Sequence, residues 1–598
     1  MPRTRASGAW LVAAILAIGS SLAVVPWALN RFTLGPLILI GVAGVVSFAV
    51  VPRGSLPRWM PLLLLTGAAV LLTAALASGQ PVAAILGRWP RYEGLVAVGG
   101  YALALVVGAR LFGRPATGRE ERSTVLVVTV VAAVHALASI LDALGLSLLP
   151  GTLDRSGALL GNASDQGVIG AAVAVLLARA ALTSWTARAG VVSGLVLVLA
   201  SGSRSGLLAL VAGLLVLGLL ELTVARRPRA AAVYAAGSGA AVALALVVPT
   251  IAPRLVGTSP SSLGTIAERA LVWQESLAVA LAHPVLGVGP SGFLDAIATV
   301  HDSRWFSSVA PGTTLDSPHS LVLQVLVAGG ILALLVAAAF GALAIVTVVR
   351  RVRADRAGSG RVLSLFCAIG TLVIGLLLNP SSASVVLVLA LLVGALVGVA
   401  PAAPRRGLRV TATAATALWL ALVTSTLAGE IAVGVAVAST DAVGADRAFA
   451  VATSLRPWDI DTPVIAAETL TARLDGGDET AAAAAARWSA AALEAAPRSL
   501  SAARAAITTA LATGDLATAD SVTAAFRELA PLDPWIAHRS GVVALLEGRF
   551  DVAEGELHAA AGLDPIWAAP WETLAYLYQQ EGRMDEAARA TDEAVARQ

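Results

Sequence analysis

The chain has 598 residues, 57% of them hydrophobic and only 13% charged, where an ordinary soluble domain carries roughly 25% charged residues. The formal net charge of +3 carries little information, because where charges sit matters more than their sum, and no nucleic-acid partner is expected. The single cysteine, Cys367, lies in an apolar stretch and excludes an intrachain disulfide framework or a multi-cysteine metal site. All 41 basic residues are arginine, and with the Ala, Val and Gly excess this points to a high-GC coding sequence and a bacterial source. The charge deficit is uneven. Residues 1–437 are almost all apolar windows and residues 438–598 are charged and Ala-rich, so a polytopic membrane domain followed by a helical extramembrane domain is expected.

Apolar windows of about 17–25 residues predict spans near 9–28, 33–51, 60–78, 93–112, 123–145, 164–183, 187–202, 205–221, 231–250, 319–349, 361–379, 381–400 and 408–435. The fold class is therefore all-α, a transmembrane bundle of about 12–13 spans. The basic N-terminus runs into further spans without a clear cleavage site, so it reads as an uncleaved anchor. Most connector arginines fall on one side: Arg3, Arg53, Arg110, Arg179, Arg226, Arg350 and Arg405 with their neighbours. Arg31, Arg88, Arg91, Arg155, Arg204, Arg254, Arg269 and Arg304 fall on the other. The positive-inside rule then puts the N-terminus in the cytoplasm, and the loop of about 251–318 and the C-terminal domain outside it.

Four outward features carry candidate chemistry. G-R-W-P-R-Y-E-G-L brings Arg88, Arg91, Tyr92 and Glu93 to the start of a span, where interface anchoring is the bland alternative. In S-G-S-R-S-G, Arg204 sits in a tight turn between apolar helices and needs an anionic partner, for which a guanidinium suits a phosphate or diphosphate. Thr265-x-x-Glu268 matches a capping box and predicts a helix from Thr265 to about Ala282, with Arg269 and Trp273 on one face, ahead of His283–Pro284. Arg269 near that helix start adds charge where the dipole already favours an anion. In S-P-H-S, Pro318 suits a first helical turn and His319 is placed to act as a base, or simply as a polar residue at a helix start. Asn162, in G-N-A-S-D-Q, sits at the start of another span and is a candidate for lining the same cavity.

From about Asp441 the pattern turns helical. Gly514, Gly548 and Gly582 are spaced 34 residues apart, as are Ala519, Ala553 and Ala587, and Pro497, Pro531 and Pro565. That period resembles tetratricopeptide repeats, an α-solenoid of helix pairs with a Gly turn and a small residue at each crossing. Three units are clear and a degenerate one is expected near Arg447–Pro457. Such arrays bind proteins or peptides; a rigid spacer is the alternative.

Taken together, S-G-S-R-S-G, R-A-L-V-W-Q-E-S, H-P-V-L-G-V-G-P-S-G-F and S-P-H-S-L-V-L-Q-V-L-V-A-G-G-I resemble the O-antigen ligase and O-antigen polymerase superfamily of bacterial membrane glycosyltransferases. The resemblance covers roughly Gly87 to Ala400. It implies transfer of a glycan from an undecaprenyl-diphosphate-linked donor to an acceptor hydroxyl on a glycan, lipid or protein, at the outer face of the cytoplasmic membrane, without metal or other cofactor. By motif, Arg204 and Arg269 match the diphosphate-binding arginines and His319 the loop histidine, a catalytic set. Arg88, Arg91, Tyr92, Glu93, Asn162, Trp273 and His283 form the candidate substrate-binding set. The family commonly has H-N-S where this chain has Ser317–Pro318–His319–Ser320. Two other readings remain: a transporter of an anion or lipid-linked intermediate, and a non-catalytic scaffold whose repeats bind a partner. The Asp459-Ile460-Asp461 motif has the D-x-D form used for metal and nucleotide sugar, but no Rossmann-like alternation surrounds it. Walker A, H-E-x-x-H and C-x-x-C patterns are absent from the sequence.

Overall fold

A computed structural model describes residues 2–50, 54–114, 117–149, 157–248, 251–256, 260–309, 315–356, 358–400 and 406–597. Arg53, Arg155 and Arg405 of the arginine asymmetry lie outside these residues, as do the side chains of Arg3, Arg5 and Thr265. Among the described residues the fold is all-helical, with one isolated β-bridge between Ser55 and Val399.

The first half runs α1 (Pro2–Ile18), α2 (Leu34–Val50), α3 (Trp59–Ala77), α4 (Pro81–Leu86), α5 (Leu95–Phe112), α6 (Gly118–Ala143), α7 (Ala163–Ala181), α8 (Trp185–Ser201), α9 (Arg204–Thr223) and α10 (Pro228–Val247). A loop region follows with α11 (Ala252–Leu255), α12 (Pro260–Ala282), α13 (Phe293–Ala298) and α14 (Ser303–Ser308). The bundle resumes with α15 (Leu321–Ala354), α16 (Gly360–Leu378), α17 (Ala383–Val397) and α18 (Arg406–Ala438). Nine helices among the described residues are long and apolar enough to cross a membrane, and four shorter apolar ones, including α8 and α17, accompany them. Each of the thirteen expected windows overlaps one of these helices. Helices apolar all round have no stripe to bury, so packing relies on small residues that let backbones approach. Gly170 of α7 and Gly194 of α8 show this: a Cβ on either would overlap the other helix's backbone.

Four boundaries differ from expectation. The first window ends its α-helix at Ile18 and passes through a 3-10 turn (Gly19–Leu22). Helix α12 begins at Pro260, five residues before Thr265, so Thr265 lies in the helix interior and not at its start; proline is preset for a first turn. Helix α15 is not one continuous span, because Gly330 has φ 64° and ψ −164° within it. Pro318 precedes α15, whose N-cap is Ser320, rather than lying in its first turn.

The C-terminal part continues as α19 (Ala442–Leu455), α20 (Asp461–Asp475), α21 (Ala482–Ala495), α22 (Leu500–Thr513), α23 (Leu516–Leu529), α24 (Pro534–Leu546), α25 (Phe550–Leu563), α26 (Ala569–Gln580) and α27 (Met584–Val595). Gly514, Gly548 and Gly582 each follow the first helix of a pair at φ 76°, 74° and 76°, the left-handed geometry a tight inter-helix turn requires. The 34-residue period therefore corresponds to three hairpins, α22–α23, α24–α25 and α26–α27. An earlier hairpin, α20–α21, turns at Gly477. Before it, α19 packs against the C-terminal half of α18, where Val433 and Ala436 share a core with Ala445 and Phe449. At 33 residues α18 is about 50 Å long, well beyond the ~30 Å hydrocarbon core. The last apolar helix thus supplies the first helix of the stack, earlier than the unit expected near Arg447–Pro457.

Candidate functional site

Three segments build the site. In the first, Gly202 (φ 58°) ends α8 and the Ser203 hydroxyl caps α9 by accepting from the Gly206 amide at 3.1 Å. This fixes Arg204 as the first residue of α9, at the positive end of a helix, an anion-favouring place. Ser205 beside it is held by Asn379, whose amide donates to the hydroxyl at 2.8 Å.

The second segment is the loop region. Arg269 lies in the N-terminal half of α12 and Arg254 at the end of α11. Burial lowers the pKa of Arg269, and the charges of Arg204 and Arg254 lower it further, with Glu268 opposing. Arg254 is lowered by burial and by Arg204. Three half-buried guanidinium groups therefore crowd one another. Arg254 Nε is buried without a hydrogen-bond partner among the described residues. Arg254 was not singled out from the sequence, because a lone loop arginine carries no motif. Trp273 follows one turn after Arg269, its indole N–H likewise buried and unpartnered.

The third segment is the turn before α15. His319 has φ 54°, a strained backbone for a residue with a side chain. Its Nδ1 lies 2.9 Å from the Ser317 carbonyl oxygen. A carbonyl can only accept, so Nδ1 carries the proton and Nε2 keeps its lone pair. Burial lowers the His319 pKa, with Arg91 and Arg269 adding to the effect and the Ser317 carbonyl and Asp316 opposing it. The imidazole is thereby neutral at neutral pH and electrostatically in touch with both Arg91 and Arg269.

Behind this turn the G-V-G-P-S-G-F motif wedges into the break in α15. The Val288 amide donates to the Val327 carbonyl at 2.8 Å, and the Ile331 amide to the Pro284 carbonyl at 2.9 Å. A side chain at Gly287 or Gly330 would overlap the opposing backbone. The loop after α12 is thus pinned to the half-helix that follows His319.

An open pocket of ≈ 300 Å³ lies between the loop preceding α5, the start of α13 and the turn before His319. Arg91 and Glu93 line it, paired at 3.1 Å, with Asp316 at 3.5 Å from Arg91. Burial works against the Arg91 charge, but Glu93 and Asp316 raise its pKa overall. Glu93 also accepts from Gln324 and from Ser381, each at 2.7 Å. Trp89 Nε1 and Ser291 Oγ, which also line the pocket, are buried without partners among the described residues.

The candidate residues thus separate into groups. Arg204, Arg269 and His319 come together electrostatically, and Arg91 and Glu93 flank them. Arg88 lines the same pocket, yet its guanidinium is buried against Asp461 and Asp295, each at 2.6 Å. Tyr92 turns away from the pocket, donating its hydroxyl to Glu430 and accepting from Arg456 at 2.6 Å. Asn162 caps α7, accepting from the Ser164 amide at 2.7 Å. His283 is exposed just past the end of α12, about 21 Å along the helix from Arg269 at 1.5 Å per residue. Spacing within a motif cannot reveal which way neighbouring side chains turn, and Arg88, Tyr92, Asn162 and His283 are where that matters.

Residues 189–338 match a family of known proteins, Wzy_C, described as O-Antigen ligase. The match takes in Arg204, Arg254, Arg269 and His319 and excludes the Arg88–Glu93 loop. The apolar helices support a multi-pass membrane protein, in which residues 189–338 are similar to O-antigen ligases. No curated protein matches the chain. Two solved structures, "Crystal structure of MamA" and "Crystal structure of MamA protein", align at 16% identity, covering 26% and 28% of this chain and 88% and 91% of their own, with TM-scores of 0.23 and 0.25.

Proposed function

We propose that this protein is a membrane glycan ligase or polymerase that transfers a glycan from an undecaprenyl-diphosphate-linked donor to an acceptor hydroxyl at the outer face of the cytoplasmic membrane. The observation that carries this reading is the convergence of Arg204, Arg254 and Arg269 beside a His319 that presents an unprotonated Nε2. In the reaction, the acceptor oxygen forms a bond to the anomeric carbon while the bond to the diphosphate oxygen breaks. His319 Nε2 takes the hydroxyl proton, and the diphosphate leaves with the bonding electron pair. Charge grows on the leaving diphosphate as the bond breaks, and arginines already in place stabilise it without reorganising. A backside attack inverts the anomeric centre. The Arg91–Glu93 pair and the unpartnered Trp89 and Ser291 groups suit hydroxyl-rich sugar, as donors and acceptors along one pocket wall.

The test is transfer by full-length His319→Ala, Arg204→Ala and Arg269→Ala proteins. Each is expected to lose activity and accumulate lipid-linked donor, and near-normal transfer in all three would defeat the assignment. The acid limb of the wild-type rate profile is expected below pH 6.5, because the depressed His319 pKa keeps the base unprotonated further into acid.

A further inference from the structure

The Asp459-Ile460-Asp461 motif has a place in the fold that its metal-binding look does not suggest. Asp461 opens α20 and receives Arg88 through two nitrogens, Nε at 3.1 Å and Nη2 at 2.6 Å, and the Trp89 amide at 2.9 Å. Asp459 receives Arg456 at 3.1 Å, and Arg456 in turn holds Glu430 at 3.0 Å and the Tyr92 hydroxyl at 2.6 Å. Arg88 and Arg456 are 5% and 1% exposed, so this is a dry joint rather than a surface contact. Burial works against both charges, and the partners outweigh it: Asp461 and Asp295 for Arg88, and Asp459, Glu430 and the hydrogen bond to Tyr92 for Arg456.

The Gly87–Gly94 loop is a closed ring, since a side chain at Gly94 would overlap the Gly87 backbone. Its residues divide by direction. The Arg88 guanidinium, the Trp89 amide and the Tyr92 hydroxyl reach toward Asp461, Glu430 and Arg456, while Arg91 and Glu93 line the pocket. Asp295 of α13 completes the joint by taking Arg88 on one oxygen and the Ser499 hydroxyl, at 3.0 Å, on the other. What fixes residues 88 and 92 therefore fixes how residues 91 and 93 are presented.

We infer that Asp461 and Arg456, both from the C-terminal part of the chain, are positioning residues for glycan transfer, holding the Gly87–Gly94 loop so that Arg91 and Glu93 face the reacting sugar. The start of the repeat array then braces the site from behind that loop, and is more than a tethered accessory. This inference rests on the proposed function.

The experiment uses full-length protein with two readouts, transfer in membranes and binding of undecaprenyl diphosphate by the solubilised protein. Asp461→Asn, nearly isosteric, is expected to cut transfer about ten- to a hundredfold, as a displacement of around 1 Å can. Undecaprenyl diphosphate binding should stay within twofold of wild type, because the arginine group is untouched. Asp461→Glu should restore most of the transfer. Asp533→Ala, which removes the partner of Arg504 at 2.9 Å within the array, should transfer normally. If Asp461→Asn transfers normally while His319→Ala is inactive, the inference is wrong and the site reading survives. If Asp461→Asn loses transfer and diphosphate binding together, the joint is a general prop, which also overturns the inference. If His319→Ala, Arg204→Ala and Arg269→Ala transfer normally too, the proposed function fails, and the inference with it.

Discussion

Arg88 and Arg456, at the joint with the repeats, are buried against Asp295, Asp461, Asp459 and Glu430, which hold them charged. Arg254 and Arg269, a loop away, are half-buried, and burial first and the charge of Arg204 second push both pKa values down, Arg254 adding to the effect on Arg269. The residue type is the same and the electrostatic balance is opposite. A matched guanidinium builds structure, and removing it leaves a buried carboxylate uncompensated. A crowd of like charges costs stability and is resolved when an anion arrives, which is why such clusters mark binding sites. From the sequence, Arg88 and Arg269 were both candidates for the substrate, and neither Arg254 nor Arg456 stood out.

The largest test of this contrast is Arg254→Ala. It should cut transfer by roughly a hundredfold, as loss of one preorganised donor does, without lowering the melting temperature, because a repulsive charge is removed. A marked drop in thermal stability would place Arg254 with the structural arginines. Arg456→Met should do the reverse to the fold, destabilising it by about 3–5 kcal/mol, measurable as a lower melting temperature of the solubilised protein. The paired replacement Arg456→Met with Glu430→Leu should recover most of that loss.

The thirteen apolar helices among the described residues and the repeat stack were legible because hydropathy and a fixed period are local signals. Gly514, Gly548 and Gly582 are an example, each needing a left-handed turn that glycine alone adopts cheaply. The joint was not legible, because Arg88 and Asp461 are 373 residues apart and no spacing rule links them. The break in α15 was hidden inside an apolar run. Gly330 reads there as one more small residue until the G-V-G loop is seen threaded against it. Arg204, Arg269 and His319 were legible as candidates because each sat in a motif, and Arg254 was not because it sat in none.

Two smaller effects sharpen the comparison within the array. His538 is buried beside Arg539, its pKa pushed down to about 4 by burial first and that charge second. Its Nε2 meets the Thr573 hydroxyl at 3.0 Å. The neutral form fits the fold, so stability is complete above pH 6.5 and falls as pH drops toward 4. The loss should reach about 3 kcal/mol, and His538→Gln should flatten that acid limb in a denaturant titration. The Arg527–Glu556 pair at 3.1 Å, by contrast, is partly exposed, and Arg527→Ala should change stability by no more than about 1 kcal/mol.

The most direct measurement of the central claim is the affinity of solubilised full-length protein for undecaprenyl diphosphate, wild type against Arg269→Ala. If the crowded arginines hold the diphosphate, the variant should bind at least about tenfold more weakly, a loss of roughly 1.4 kcal/mol. Equal affinity in the two proteins would contradict the account.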